Sequence, residues 1–259
     1  MNRTQAIVWY AFAALAVIFM LSPLVILVIF CFSDSPLLSF PITGLSLKWI
    51  GAVLDQHEFY IALKHSLIVT LSVGAVSTIV GTMAAMGLAR LRRTFAAGAI
   101  TALAVPVMVP PLMLGIMFLS YYTTWLDMRL GLHTVIISQL VFTQPFVILI
   151  VSARMASFDF AAIDSARDLG ASASKAFFTV TLPIIRATVV GAALIAMALS
   201  LDDFLVTFFT IGGGNTLPIF MWGMLRRGVD PSINVVAVML MLFSIGVSLV
   251  GLRVTRYRG

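Results

Sequence analysis

Charged side chains are scarce in this sequence. Only 10% of its 259 residues are Asp, Glu, Lys or Arg, whereas 61% are hydrophobic. Soluble domains carry about 25% charged residues, so this scarcity excludes an ordinary soluble domain. The mean hydropathy of +1.10 predicts an integral membrane protein instead. The net charge of +6 is therefore read as a signal of membrane sidedness and not of nucleic acid binding.

Cysteine and histidine are nearly absent. Cys31 is the one cysteine, which excludes an internal disulfide, and we interpret it as a small hydrophobic side chain. The three histidines, His57, His65 and His133, all fall on one predicted side of the membrane, so they cannot form a Ser–His pair across it. No predicted span carries two histidines or two carboxylates at i, i+4. The sequence therefore predicts neither an intramembrane enzyme nor a metal site.

Six segments are long and apolar enough to cross a membrane, which takes about 20 residues. They are 9–32, 66–89, 99–121, 134–153, 184–201 and 233–252. The first is too long for the apolar region of a signal peptide and lacks an A-x-A cleavage site, so we expect it to be retained. No linker, repeat or low-complexity tract divides the chain. The predicted fold is an all-α integral membrane protein, with 1–259 as a single transmembrane domain.

Prolines and glycines within these spans predict where helices are interrupted and where they pack closely. We expect the prolines to interrupt helices, and "VPVMVPPLML" to bend or break the third span. The prolines are Pro23, Pro106, Pro110, Pro111 and Pro145. The bent helix could line a substrate path or only pack, and both interpretations stay open. Gly74, Gly81 and Gly87 predict close helix packing in the second span.

The distribution of charge predicts the sidedness, because Lys and Arg near span ends are retained in the cytoplasm. Six spans place both termini on one side. With the termini inside, eleven basic residues are cytoplasmic and five are external, whereas seven of the ten acids are external. Both termini and the loop 154–183 are therefore predicted to be cytoplasmic.

A polar stretch, "DSARDLGASASKAFFTVTLP", occupies 164–183 in that loop. The residues from Asp159 to Leu169 are compatible with a helix, in which Ile163, Ala166 and Leu169 share one face. Asp164 and Arg167 are spaced for an i, i+3 ion pair.

Gly170 is placed as a helix stop. Ser172 or Ser174 can then cap a second short helix that leads to Pro183 at the start of the fifth span. An interfacial helix lying on lipid would carry mostly Lys and Arg on its polar face. This stretch mixes acids with bases, so we interpret it as a rigid element that docks in a groove of another protein.

The stretch resembles the EAA loop of binding-protein-dependent ABC importer permeases, whose pattern is E-A-A, three residues, G, nine residues, I, one residue, L-P. Every spacing of that pattern is kept here. The matching residues are Asp164, Ser165, Ala166, Gly170, Val180, Leu182 and Pro183. The departures are Asp for Glu, Ser for Ala and Val for Ile.

The resemblance implies a type I ABC importer permease fold in a bacterial inner membrane. It implies that the chain pairs with a second homologous permease subunit, and that the loop couples both to an ATPase subunit dimer. ATP and Mg²⁺ would be bound by the ATPase, so no cofactor is expected in this chain. "IGGGNT", at 211–216, lacks the G-K-[ST] ending of a nucleotide-binding P-loop and is interpreted as a turn.

The segment that begins "SLDDFLVTFF", at 200–209, resembles the second permease of spermidine/putrescine importers. This implies uptake of polyamines or a related small cationic solute, delivered by a periplasmic solute-binding protein. Asp202 and Asp203 close a predicted helix at its C-terminal end, where the helix dipole disfavours negative charge. A passing cation would relieve both carboxylates, so we assign them to a substrate path.

Phe204 and Trp222 could add cation–π contacts to an amine on the same path. A second interpretation stays open for all four residues. The two acids could be solvated by periplasmic water or paired with Arg226 or Arg227, and the aromatic residues could form an interfacial belt.

Two other classes of membrane protein compete with an ATPase-coupled importer. A secondary transporter would need an ionisable residue near the bilayer midplane, which the six predicted spans lack. A membrane scaffold that is not coupled to an ATPase is opposed by the EAA pattern and the bent third span.

Overall fold

The computed structural model describes residues 3–42 and 44–256, and most of them are helical. The helices are α1 (Arg3–Cys31), α2 (Lys48–Leu54), α3 (His57–Leu88), α4 (Arg93–Met108), α5 (Pro111–Ser120), α6 (Leu132–Met155), α7 (Ala161–Asp168), α8 (Ala173–Ala176), α9 (Leu182–Asp202), α10 (Leu205–Thr210), α11 (Leu217–Arg227) and α12 (Ser232–Arg256). Two π-helical turns continue these elements: Tyr121–Trp125 extends α5, and Phe177–Thr181 joins α8 to α9.

Within the described ranges, five helices are each long and apolar enough to cross a membrane, and α4 with α5 makes a sixth if the bent pair is one span. The predicted all-α fold with six apolar spans is therefore confirmed, with the bent pair counted as one span. The largest differences in their ends are at the start of the second span, where α3 begins at His57, and at the start of the fifth, which runs through 30 residues, Ala173–Asp202. The expectation of a break in the third span is also confirmed, since α4 and α5 meet at 91°.

The break has a local cause. A residue that precedes proline is pushed out of the α region, and both Val109 (ψ 131°) and Pro110 (ψ 134°) are extended. The expectation that the other three prolines interrupt helices is wrong, because Pro23, Pro106 and Pro145 lie inside the continuous helices α1, α4 and α6. Pro23 leaves the Phe19 carbonyl without its helical donor, and the Ser22 hydroxyl donates to that carbonyl at 2.9 Å instead.

The described residues divide into two compact units. One unit is drawn from the residues up to Tyr60 and from Phe220–Phe243, and the other from Ile61–Ile219 and from Ser244 onward. In the first unit, the segment after α1 is held by a bridge between Ser33 and Leu45 and by an ion pair of Lys48 with Asp34 at 2.9 Å.

The main core of the second unit joins the membrane helices to the polar loop. Buried side chains of α3, α6 and α9 pack together there with buried residues from 158–176. The cluster is Ala85, Val147, Val151, Met155, Phe158, Ile163, Ala176, Ile185, Ala192 and Ala196. The loop is thus anchored directly on the core of the helix bundle.

Small residues allow α3 to approach its neighbours. A Cβ at Gly74 would lie 2.3 Å from Met197 Cγ of α9, and one at Gly81 would lie 2.6 Å from Val147 Cγ1 of α6. Close packing is confirmed at these two positions. The prediction of close packing is wrong at Gly87, where a Cβ would meet no atom within 4 Å.

Candidate functional site: a polar loop and a carboxylate-lined cavity

The polar loop contains a short amphipathic helix, α7. The Asp159 carboxylate accepts a hydrogen bond from the Ala161 backbone N–H at 3.0 Å, so the helix begins two residues later than predicted. Ile163 is buried, and Ala166 packs against the same core. Asp164 and Ser165 are exposed. The helix therefore turns its apolar side to the bundle and its polar side away from it.

The predicted stop at Gly170 is confirmed. Gly170 has φ +85°, and its N–H donates to the Arg167 carbonyl at 2.9 Å, while the Ala171 N–H donates to the Ala166 carbonyl at 3.0 Å. This pair of bonds is the Schellman motif, which satisfies carbonyls left open at a helix end.

Two expectations for α7 are wrong. Leu169 does not share the buried face, because it lies past the end of the helix and 89% of it is exposed. The structure also forms no ion pair between Asp164 and Arg167 among its described residues. The exposed leucine thus lies at the end of α7, next to the exposed Arg167 and Asp168.

The second helix of the loop is not a separate element. Ser172 is its cap, with its hydroxyl accepting from the Lys175 N–H at 3.3 Å, but α8 continues through a π-helical turn into α9. Pro183 has no N–H to donate to the residue four positions earlier, and the wider π-helical turn ends at Thr181, two residues before it. Val180 and Leu182 are half-buried in this continuous helix, and Pro183 is exposed.

The second candidate region is the break between α9 and α10. A cavity of about 690 Å³ opens there, lined by Pro111, Ala198, Leu199, Asp202, Asp203, Phe204, Leu205 and Ser244. Gly115 of α5 lets α10 come close, because a Cβ at this glycine would lie 2.7 Å from a ring carbon of Phe209 and 3.1 Å from the Leu205 carbonyl oxygen. The broken third span therefore contributes to the wall of the cavity.

The two adjacent carboxylates are in different surroundings. Asp202 ends α9, is exposed, and makes no ion pair or side-chain hydrogen bond with the described residues. Asp203 is half-buried and accepts from the Thr207 N–H at 2.8 Å and the Thr207 hydroxyl at 2.7 Å. Its carboxylate thereby caps α10, which leaves Asp202 as the acid without an internal donor.

Gln139 of α6 completes the surroundings of Asp203. Its side chain is 1% exposed, and its Nε2 lies 3.3 Å from an Asp203 carboxylate oxygen and 2.8 Å from the Thr207 hydroxyl. The Ser200 hydroxyl donates to Gln139 Oε1. This residue was missed from the sequence, although a glutamine within an apolar span is a recognisable signal of a polar contact.

The two aromatic candidates are placed differently. Phe204 lines the cavity and lies against Phe208, with ring centroids 5.4 Å apart. Trp222 lies on α11 in the first unit and is not among the residues that line the cavity. The structure thus brings Asp202, Asp203 and Phe204 together at one cavity.

The glycine-rich segment at 211–216 is a turn, as predicted. Gly212 has φ +67°, and the segment is held to α3. The Asn215 carbonyl lies 2.8 Å from His65 Nδ1, and the Leu217 N–H donates to the Ser66 hydroxyl at 2.8 Å.

Comparison with known proteins gives one consistent result. Residues 77–257 match the family described as "Binding-protein-dependent transport system inner membrane component". The putrescine transport system permease protein PotI of Escherichia coli (strain K12) is 31% identical over 86% of this chain and 82% of its own length. The spermidine/putrescine transport system permease protein PotC of the same organism is 29% identical over 86% of this chain and 84% of its own length.

Two solved structures share the fold. A chain of a bacterial ABC transporter involved in the import of the acidic polysaccharide alginate has a TM-score of 0.75, with 14% identity over 98% of this chain and 96% of its own length. A chain of the MetNI methionine ABC transporter, in an inward-facing conformation, has a TM-score of 0.58, with 18% identity over 79% of this chain and 99% of its own length.

The family match covers more than half of the chain, and the structural likeness establishes the type I permease fold. Membership implies an ATPase and a binding protein as partners, since permeases of such importers do not hydrolyse ATP themselves. This chain therefore belongs to the binding-protein-dependent transport system inner membrane components, as a non-catalytic, multi-pass permease subunit of an ABC importer.

Proposed function

We propose that this permease subunit imports polyamines, such as putrescine and spermidine, or a related small cationic solute, which it receives from a periplasmic solute-binding protein. The observation that carries the proposal is the cavity at the end of α9, where the Asp202 carboxylate is exposed and has no internal donor. The names of the similar E. coli permeases support the same substrate class.

The electrostatics of the cavity favour a cation. Asp202 and Asp203 lie at the C-terminal end of α9, where the backbone carbonyls add partial negative charge. Hydrogen bonds from Thr207 and Gln139 offset the charge of Asp203, whereas that of Asp202 is offset only by solvent or by a bound cation. Phe204 at the same cavity offers an aromatic ring to an amine. Trp222 stays a predicted member of the path.

The assembly we propose follows the charge pattern and the exposed surfaces. Both termini and the loop 154–183 face the cytoplasm, and residues 1–259 act as one transmembrane permease domain. Only 11% of the α1 span is buried within the chain, so its apolar surface is available to lipid and to a second homologous permease. The EAA-like residues and the exposed Leu169 meet an ATPase subunit dimer, which binds the ATP and Mg²⁺.

Asp202→Asn tests the cation path. We expect putrescine uptake, measured in proteoliposomes with the whole complex and its binding protein, to fall about tenfold, because one charge at contact distance in a partly hydrated cavity contributes about 1 to 4 kcal/mol. Asp55→Asn is the matched control, since Asp55 is exposed and lies on the same predicted side of the membrane. Unchanged uptake by Asp202→Asn would remove this carboxylate from the proposed path.

Leu169→Asp tests the coupling surface. The exposed leucine is expected to be desolvated against the ATPase, and a buried apolar anchor of this size contributes about 2 kcal/mol. We expect the ATPase to be lost from the complex when this chain is purified in mild detergent, whereas Leu169→Met retains it. Equal recovery of ATPase with both variants would exclude the leucine from the interface.

A further inference from the structure

We propose that Gln139 is a positioning residue, which fixes the break between α9 and α10 so that Asp202 stays exposed at the cavity while the carboxylate of Asp203, which also lines it, is held by internal donors. The proposal deepens the function given above, because it names what orients the cation-facing carboxylate. It concerns a residue in a different helix, more than 60 positions away from the break in sequence.

The contacts of Gln139 lie on both sides of Asp202. On the N-terminal side of Asp202, Gln139 Nε2 is 3.3 Å from the Ser200 carbonyl oxygen, and the Ser200 hydroxyl donates to Gln139 Oε1. On the C-terminal side of Asp202, the same Nε2 is 3.3 Å from the Asp203 carboxylate and 2.8 Å from the Thr207 hydroxyl. One side chain therefore holds the residues that flank Asp202.

These contacts meet a specific need of the backbone. The last four carbonyls of a helix have no partner within it, and the Ser200 carbonyl is one of the last four of α9. Ser200 is 4% exposed and Thr207 is 1% exposed, so water cannot easily replace the amide. An amide has both an acceptor and two donor hydrogens, and this site uses both kinds of group.

The arrangement also explains why two adjacent acids behave differently. The Asp203 carboxylate receives donors from Thr207, Gln139 and the Val206 N–H. Because Asp203 is drawn toward α6 and α10, the preceding residue at the end of α9 is directed to the cavity. If Gln139 lost its amide, we expect Asp203 to compete for cavity water and the end of α9 to rotate Asp202 away from the cavity.

Cysteine labelling measures this orientation without relying on transport. Cys31 is the one cysteine of the chain, so a Cys31→Ala background leaves a single introduced thiol in this subunit. In the purified complex, we compare the rate at which a water-soluble maleimide labels Asp202→Cys with and without Gln139→Met, which has similar length and no hydrogen-bonding amide. Labelling of this subunit is followed by mass spectrometry.

We expect Gln139→Met to slow labelling at position 202 about tenfold, which is the effect of losing a buried hydrogen bond to a charged group. Ala198→Cys is the control, because Ala198 is exposed, lines the same cavity and lies one turn earlier on α9, and its rate should not change. An unchanged rate at position 202 overturns the proposal. If Gln139→Met fails to insert, Thr207→Val is used instead, because it removes the hydroxyl that links the Gln139 amide to Asp203. The labelling rates at positions 202 and 198 are then compared in the same way.

A double-mutant cycle supplies a second measurement in the unlabelled complex. If Gln139 acts through Asp202, putrescine uptake by Gln139→Met with Asp202→Asn should be no lower than that of Asp202→Asn alone. Additive losses contradict a positioning role and indicate a structural one. If polyamines are not the substrate, uptake is absent from the parent complex as well, while the labelling result still stands.

Discussion

Gly170→Val is expected to lower the ATP hydrolysis that the loaded binding protein stimulates in the complex. Gly170 has φ +85°, a backbone conformation that is strained by about 1–2 kcal/mol for an L-residue and more for a β-branched one. The substitution would open the Schellman turn and displace Leu169, which precedes it directly. We therefore expect ATP hydrolysis stimulated by the loaded binding protein to fall about tenfold in the reconstituted complex.

Gly170→Asn is the matched control for this result. Asparagine adopts positive φ far more readily than valine, and a Cβ at position 170 meets no atom within 4 Å. The asparagine variant should therefore retain most of the stimulated hydrolysis, and the loss with valine cannot be ascribed to a clash. Equal activity of the two variants would show that the left-handed turn is not needed for coupling.

Gly81→Ala is expected to destabilise the helix bundle. The new Cβ would lie 2.6 Å from Val147 Cγ1 and 2.9 Å from Val147 Cβ, and Val147 is completely buried. A valine side chain is stiff and cannot turn aside, so α3 and α6 have to separate. Overpacking of this kind costs about 1–3 kcal/mol, and we expect the thermal unfolding midpoint in detergent to fall by several degrees.

Gly87→Ala gives the comparison within the same helix. A Cβ at Gly87 has open space around it, and alanine favours a helix over glycine by about 1 kcal/mol. This variant should be as stable as the parent or slightly more stable. A midpoint that falls equally for both variants would mean that the helix backbone, and not the contact with Val147, responds to the substitution.

The sequence by itself determined the membrane class, the number of spans, the break in the third span and the stop at Gly170. Each of these depends on local properties. Hydropathy adds up over about 20 consecutive residues, a proline acts on the residue before it, and a glycine permits positive φ whatever its neighbours are. The spacing of the EAA-like residues is likewise a property of a single stretch, and it identified the family before any contact was known.

The tertiary structure alone decided which side chains face inward. Leu169 has the spacing of a buried residue but lies beyond the end of α7, where the chain has turned and exposes it. Asp202 and Asp203 are adjacent in sequence, and they differ because, among the described residues, Thr207 and Gln139, which lies 64 residues before Asp203, donate hydrogen bonds to Asp203 and not to Asp202. A hydrogen bond between distant helices depends on how the bundle packs, and no local pattern of residues encodes that geometry.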